Sequence, residues 1–463
     1  MGGIRTALFS YLYAKQHGGQ FLLRIEDTDK EREVPGSLEH IMESLEWLGI
    51  RWDEGPRMGG PFASYIQSER LDLYMRYASL LMDRGLAYAD PYTKEELGVL
   101  RTKAEEEKRP FLFRDHRPDH HAVTWTPGAG VPLRFRVPEI KRYMWHDEVR
   151  GELTAGEEAL DDFILIKGDG YPTYNFCHVV DDIEMKITHV MRGQEFISST
   201  PKFLSLYEAL GVVPPKFVTL PPILGEGGQK KLGKRDGAKD ILEYRAEGYM
   251  PETMVNFLAL LGWNPGTPEE FFSMEQLVQS FSLERIQKSG AQFNDEKLLD
   301  LNQRWMRSLS DQVFVGYLSG LPEGLNADIL HKAIPVLKER AQTFGEARTM
   351  LTEEMTYLFE SPTLSQEQLR AKEAGEGSTA QHLTAILELL VVLPEALSAE
   401  DAKAALMPYA DAVPKEQGGR GAALWPLRYA LSGAERSPDP FMLIHILGVH
   451  EAMARIRGSL SIL

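Results

Sequence analysis

Apolar residues three and four apart open the chain. Ile4, Ala7, Leu8, Tyr11 and Leu12 fall on one stripe of a 3.6-residue helix, and His17-Gly18-Gly19 marks its end. A short apolar run of Phe21, Leu22, Leu23 and Ile25 follows, then Glu26-Asp27-Thr28-Asp29, the pattern of a buried strand that opens onto a charged turn. In doubly wound α/β sheets ligands bind outside such strand ends. Leu38, Ile41, Met42, Leu45 and Leu48 predict a second helix, with Ser37 as N-cap and Gly49 in the left-handed position after it. A parallel sheet of this kind begins with a strand whose exit turn feeds the first helix. Here the helix starts at Gly2, so that strand is expected upstream, encoded before Met1.

From about 87 to 160 the pattern turns polar and irregular, as at Glu105, Lys108, His116 and His121, and predicts an insertion between two halves of the sheet. Apolar strands are expected again at 163–166, 179–180 and 187–191, with a helix carrying Phe203, Leu204, Leu206 and Tyr207. A glycine- and lysine-rich loop occupies 225–237, after which the pattern is almost wholly helical. Residues 365–381, rich in Gln, Glu, Gly and Ser, predict an exposed connection between helical subdomains. No repeat occurs at a solenoid period.

Composition narrows the class. At 463 residues the chain is long enough for about three or four domains. A hydrophobic share of 43% with 26% charged residues is that of an ordinary globular protein, and no apolar run is long enough to span a membrane. One cysteine excludes an internal disulfide framework and a thiolate-rich zinc site, and with no cleavable N-terminal signal a reducing cytoplasm is expected. The net charge of -17 argues against non-specific coating of DNA but not against docking to a polyanion through local basic surface.

The loop is the strongest chemical signal. Lys230, Lys231, Lys234 and Arg235 fall within six positions, between glycines that let backbone amides approach a ligand, and triphosphate suits such a loop. Gly228, Gly233 and Lys234 nearly form a P-loop, but Arg235 stands where a Ser or Thr must meet magnesium; a solvated basic loop is the bland alternative. Glu26 and Asp27 could hold an amino group or a metal, or be soluble punctuation, and Asp181-Asp182 is equally ambiguous. Cys177-His178 reads as core packing, because no second Cys exists and His116, His120 and His121 lie in polar sequence far away.

Four ordered segments, GGIRTALFSYLYAKQHGGQFLLRIEDTD, DGYPTYNFCHVVDDIEMKITHVMRGQEFISSTPKFLSLYEALG, ILGEGGQKKLGKRDGA and GYMPETMVNFLALLGW, resemble successive signatures of bacterial glutamyl-tRNA synthetases. These class I enzymes join glutamate to the 3′ end of tRNA. The likeness is dense to about Asn302 and thinner beyond, where LWPLRYALSG carries it.

The resemblance implies an α/β plus all-α chain. A Rossmann-type parallel sheet would occupy 1–67 and 167–235, split by an acceptor-stem insertion at 68–166 and followed by a stem-contact domain at 236–310 and an α-helical anticodon-binding region at 311–463. It implies ATP as substrate with Mg2+, L-glutamate and tRNA(Glu) as partners, and a monomer; some members carry a Cys-rich zinc site in the insertion, but Ala89-Asp90 stands there without cysteines, so no zinc is expected, and the hydropathy pattern predicts no membrane. Gly2-Gly3 matches the end of the family's HIGH-type motif, whose histidine and preceding A-P-S-P-T-G segment would lie upstream. Lys231 to Arg235 matches the KMSKS-type loop, with Gly233 in place of the usual Ser, and Lys231 and Lys234 would meet phosphate.

By the same resemblance Glu26 would hold the substrate ammonium and Arg192 its side-chain carboxylate, with Tyr174 in the same pocket and His178 where relatives often have Asn. Glu195 and Phe196 would lie near the ATP ribose and base, and Leu224 beside adenine. Arg340 and Arg348 are candidates for anticodon contact. Two further readings stay open: a tRNA-binding protein without catalysis, and an enzyme that also charges tRNA(Gln).

Overall fold

The computed structural model describes residues 1–29, 34–118, 125–225, 227–228, 230–233, 239–318, 320–322, 325–372, 375 and 377–463. They form two compact units, Met1–Leu242 with Pro251–Asp295, and Glu243–Met250 with Glu296–Leu463.

In the first unit, helix α1 (Gly2–Gln16) buries Arg5, Leu8, Phe9 and Leu12, while Ile4, Ala7 and Tyr11 are only half-buried. The stripe is rotated because Arg5, read as polar, turns inward: its guanidinium donates to the carbonyls of Leu261, at 2.9 Å, and Pro221. The segment after α1 is extended but pairs only through single parallel bridges, Leu22 with Glu54 and Ile25 with Ile66, and of its apolar run only Phe21 is fully buried. Its neighbours are loops, so a full ladder cannot form; backbone hydrogen bonds from Asp53 N–H to Phe21 O, Leu23 N–H to Glu54 O, Ile25 N–H to Tyr65 O and Gln67 N–H to Ile25 O hold it at 2.8–3.0 Å. Helix α2 (Ser37–Trp47) is preceded by Gly36 at φ 79°, so Ser37 is its first helical residue and not its cap. Gly49, at φ 71°, takes the left-handed position expected of it.

The next elements are α3 (Leu71–Asp83), β1 (Ala87–Ala89), α4 (Lys94–Glu106), β2 (Leu133–Phe135), β3 (Tyr143–Asp147), β4 (Gly151–Ala155) and β5 (Ile164–Ile166). After them come α5 (Tyr174–Glu184), β6 (His189–Gly193), α6 (Thr200–Leu210), β7 (Lys216–Leu220), β8 (Ile223–Leu224) and β9 (Ala291–Gln292). The stretch 87–160 is therefore more ordered than its polar pattern suggests. Its hairpin β3–β4 joins a sheet of order β4-β3-β7-β6, in which β7 pairs in parallel with both β3 and β6. Strands β1, β2 and β5 form a second, antiparallel sheet, and β8 pairs with β9 in parallel. Val179 and Val180, expected in a strand, lie in α5: with Phe176 and Ile183 they complete a three- and four-residue spacing that outweighs their β-branching.

The second unit is helical. Leu337, Leu383, Leu406, Leu427, Ile444 and Ile456 meet in its core, at most 1% exposed. Residues 243–250 belong to it through Asn302 Oδ1, which accepts from Met250 N–H at 3.0 Å, and Gly248 O, which accepts from Phe344 N–H at 3.0 Å. No helix among the described residues is long and apolar enough to cross a membrane.

Candidate active site

Arg24 stands at the centre of a carboxylate cluster on the extended segment 21–28. Its Nη1 donates to Asp182 Oδ1 at 2.9 Å and its Nη2 to Glu26 Oε1 at 3.3 Å, while Nε lies 3.6 Å from Asp181 Oδ2. Asp181 is wholly buried and anchored from the other side by Arg70 Nε, Gln67 Nε2 and Tyr74 OH, each at 2.9 Å. Tyr207 OH reaches Asp182 Oδ2 at 3.3 Å. Burial raises the Asp182 carboxyl from its usual range, against the pull of Arg24. Glu26 is the outermost carboxylate, with 37% of its side chain open to solvent. The surrounding protein still raises its pKa, opposed first by Arg24 and then by Arg192. Asp27 is turned aside to accept from the backbone N–H and hydroxyl of Ser68.

Aromatic rings gather around Arg192. Tyr174 stacks on His178 at 4.7 Å, and Phe203 meets the His178 ring edge-on at 4.4 Å. His178 Nδ1 lies 2.7 Å from Tyr174 O, while burial and then the charge of Arg192 press its pKa well below 6.5. The ring is therefore neutral, with the proton on Nδ1 and a lone pair on Nε2. Burial pushes the Tyr174 phenol up to about 12, with Arg192 opposing. Arg192, on β6, lies 5.2 Å from the Phe196 ring and 5.3 Å from the Phe203 ring. Its buried Nη1 has no hydrogen-bond partner among the described residues.

Gly2 and Gly3 are exposed in the first turn of α1, where an added Cβ would meet nothing within 4 Å and amides lack intrahelical acceptors. In the loop, Leu224 bridges Lys231, and Gly225 N–H donates to Lys230 O at 2.9 Å. Lys231 Nζ reaches Glu195 Oε1 at 2.9 Å. Partial burial would raise the Glu195 pKa, but this bond helps bring it below the usual carboxylate range. Lys234 and Arg235 lie outside the described residues. Cys177 is fully buried, its one S–H within reach of Thr173 O at 3.1 Å and Gln67 Oε1 at 3.3 Å, and has its pKa pushed up to about 12 by burial.

Glu26, Tyr174, His178, Phe196 and Arg192 are thus drawn into one electrostatic and aromatic neighbourhood, and Glu195 into a pair with Lys231. Sequence reading passed over Arg24, Gln67, Arg70, Tyr74 and Tyr207 as site-building residues. The available signal was Arg24, a cation inside an otherwise apolar run, needing a buried counter-charge that Asp181-Asp182 could supply.

A family model described as tRNA synthetases class I (E and Q), catalytic domain, matches residues 1–300, and one described as anticodon binding domain matches 297–460. A glutamate–tRNA ligase of Carboxydothermus hydrogenoformans is 39% identical over 471 residues, covering 98% of this chain and 96% of that protein. One from Anaeromyxobacter is 36% identical, covering 100% and 96%. The crystal structure of a glutamate tRNA ligase from Elizabethkingia meningosepticum in complex with its amino acid matches with a TM-score of 0.87 at 34% identity, covering 99% of this chain and 96% of that one. With a Rossmann-like catalytic part, a helical anticodon-binding part and relatives matched over nearly their full length, this chain belongs to the glutamate–tRNA ligase family of class I tRNA synthetases.

Proposed function

We propose that the chain is a glutamate–tRNA ligase that activates L-glutamate with ATP and transfers it to the 3′-terminal adenosine of tRNA(Glu). The observation that carries this reading is Arg192: a guanidinium fixed between two rings, with a buried N–H unpaired among the described residues, in the field of the Glu26 carboxylate. A planar cation paired across a pocket with an anion suits a substrate having a carboxylate at one end and an ammonium at the other. Glu26 takes the ammonium and Arg192 the side-chain carboxylate. Tyr174 and His178 line the space between them, with His178 Nε2 left as an acceptor.

The α-carboxylate of glutamate attacks the α-phosphorus of ATP and pyrophosphate leaves. A ribose hydroxyl of the terminal adenosine then attacks the acyl carbon of the adenylate, releasing AMP. No protein nucleophile takes part, so catalysis rests on positioning and on cancelling charge. Gly2 and Gly3 offer backbone N–H groups to phosphate, and Glu195, Phe196 and Leu224 flank the nucleoside. Lys231 passes from Glu195 to the leaving pyrophosphate, with Lys234 and Arg235 beside it in sequence. Mg2+ enters with the triphosphate: it takes few protein ligands when phosphate supplies oxygens, and among the described residues no group of three or more His, Cys, Asp or Glu forms a cage.

Residues 68–166 take the acceptor stem, 236–310 form a stem-contact domain and 311–463 take the anticodon arm, in a cytoplasmic monomer. Glutamate-dependent pyrophosphate exchange in the presence of tRNA, followed by glutamylation of tRNA(Glu), is the test. Binding of tRNA without exchange would leave only a tRNA-binding protein. Comparing tRNA(Glu) with tRNA(Gln) as acceptor measures how far the enzyme discriminates.

A further inference from the structure

The reading above assigns no role to Arg24, yet it is the group that Glu26 touches. Four features bear on it. First, it is buried to 16% side-chain exposure within the otherwise apolar run 21–25. Second, it spans two carboxylates from different parts of the unit, Asp182 on α5 at 2.9 Å and Glu26 on its own segment at 3.3 Å. Third, Asp182 is itself tied to Tyr207, and Asp181 behind it to Arg70, Gln67 and Tyr74, so the Arg24 end of the cluster is braced on three sides. Fourth, Glu26 is the only member of the cluster for which no second cationic or hydroxyl bond is recorded among the described residues, and it is the member open to solvent.

We infer that Arg24 is a positioning residue for amino-group recognition: anchored by Asp182, it holds one oxygen of Glu26 and leaves the other directed to the substrate ammonium. The inference rests on the reading that Glu26 takes the ammonium, and it deepens that reading by naming what orients Glu26. Without Arg24 two things change. Glu26 can rotate away, and it loses the charge that opposes its protonation. The charges acting on it are then Asp182 from α5 and Arg192 from β6, with Tyr174 and Cys177 beside it neutral; only Arg192 favours the carboxylate.

The test compares L-glutamate with glutarate, which keeps both carboxylates and lacks the amino group, by titration calorimetry on the full chain between pH 6 and pH 8. Arg24→Gln should weaken glutamate roughly tenfold or more, the loss expected when a charged hydrogen bond goes, and leave glutarate little changed. Its glutamate affinity should also fall more steeply as pH is lowered than that of the unsubstituted chain, because Glu26 has lost the charge that opposes its protonation. Arg24→Lys keeps the charge but cannot span both carboxylates, so its preference for glutamate over glutarate should fall between the two. It also guards against a Gln variant that fails to fold. Glu26→Gln separates the layers of the argument. If it leaves the preference intact, Glu26 does not bind the ammonium and the underlying reading fails. If Glu26→Gln abolishes the preference but both Arg24 variants keep it, or weaken glutamate and glutarate in parallel, Arg24 merely supports the fold and the inference is overturned.

Discussion

The guanidinium of Arg192 lies against the Phe196 and Phe203 rings, contacts that fix it without consuming its N–H groups. A carboxylate meeting that fork gains two parallel hydrogen bonds, which an ammonium cannot offer. Both Arg192→Lys and Arg192→Ala should therefore raise KM for glutamate roughly tenfold or more while KM for ATP moves little. Pyrophosphate exchange with each substrate varied in turn measures this, and equal effects on both substrates would contradict the assignment. His178 makes a separate prediction. Its folded pKa is far below 6.5 because burial, and next Arg192, oppose the imidazolium, so the unfolded chain binds a proton there that the folded chain refuses. This contribution to stability is fully present above about pH 6.5 and is lost as pH falls below it, at up to about 1.4 kcal/mol per pH unit. Urea unfolding at pH 7 and pH 5.5 should show a larger drop in the unsubstituted chain than in His178→Asn, whose amide can still donate to Tyr174 O; equal drops would remove His178 as the cause. Glu26, Tyr174, His178 and Arg192 were legible together because they lie in two segments whose motifs resemble a known family. Arg24 was not, since one sequence shows a charge within an apolar run but not which distant carboxylates meet it.

Strand β3 shows what a single buried side chain does for an element. Tyr143, Trp145 and Asp147 point inward and Met144 and His146 outward, the alternation of a half-buried strand, but its last inward position is an acid. Asp147 Oδ1 accepts from the N–H groups of Val149, Arg150 and Thr219 at 2.8–3.2 Å, and Oδ2 from the Thr219 hydroxyl at 2.6 Å. The same carboxylate thus closes the β3–β4 turn and fastens the hairpin to β7, the neighbour of the strand bearing Arg192. Asp147→Ala would leave several buried donors unsatisfied at about 1–3 kcal/mol each, so a loss of more than about 3 kcal/mol is expected. Asp147→Asn should lose less, because its carbonyl can keep the three backbone N–H bonds and its amide can donate to Thr219 Oγ1. Denaturant unfolding of both variants checks the order, and equal losses would mean that the hairpin does not depend on these bonds. A hydrophobicity pattern reads an inward Asp as a break, and its partner Thr219 is 72 residues away. That is why 87–160 looked irregular, whereas α1, α5 and α6 carry stripes or caps that local spacing either reveals or, as at Arg5 and Val179, misplaces by one face or one element type.

Across the whole molecule the charge of -17 opposes a polyanionic partner, so tRNA affinity must come from places where positive charge is gathered. The helical unit has such a place. Arg340 and Arg428 both act on Tyr357, whose phenol burial pushes up to about 12 and whose buried hydroxyl has no partner among the described residues. Arg428 lies 4.8 Å from the ring of the half-buried Trp425, and burial, with Arg340 adding to it, lowers its pKa. Two mutually repelling cations, one of them beside a partly open aromatic ring, gain most from an anion with stackable bases, the chemistry of a single-stranded nucleic-acid loop. Such a patch lies within the stretch matched by the anticodon-binding family model, residues 297–460. Composition and helical pattern announce the helical region, but not that residues as far apart as 340 and 428 share one neighbourhood. Arg340→Glu in the full chain should weaken tRNA binding and make its dependence on salt shallower, by roughly 0.7 to 0.9 in the logarithmic slope for each phosphate that no longer meets a cation. Glutamate affinity, which the proposed function assigns to Arg192 and Glu26 in the other unit, should stay unchanged. Deleting 311–463 should go further and remove most discrimination between tRNA(Glu) and other tRNAs, because anticodon bases are read on their exposed faces and edges and the acceptor stem carries none of them. Filter binding with cognate and non-cognate tRNA at two salt concentrations measures the affinity, the slope and the discrimination, and titration with glutamate checks the amino-acid affinity. An Arg340→Glu chain with unaltered affinity and slope would place the anticodon elsewhere on the protein, and undiminished discrimination after the deletion would place identity outside the helical region altogether.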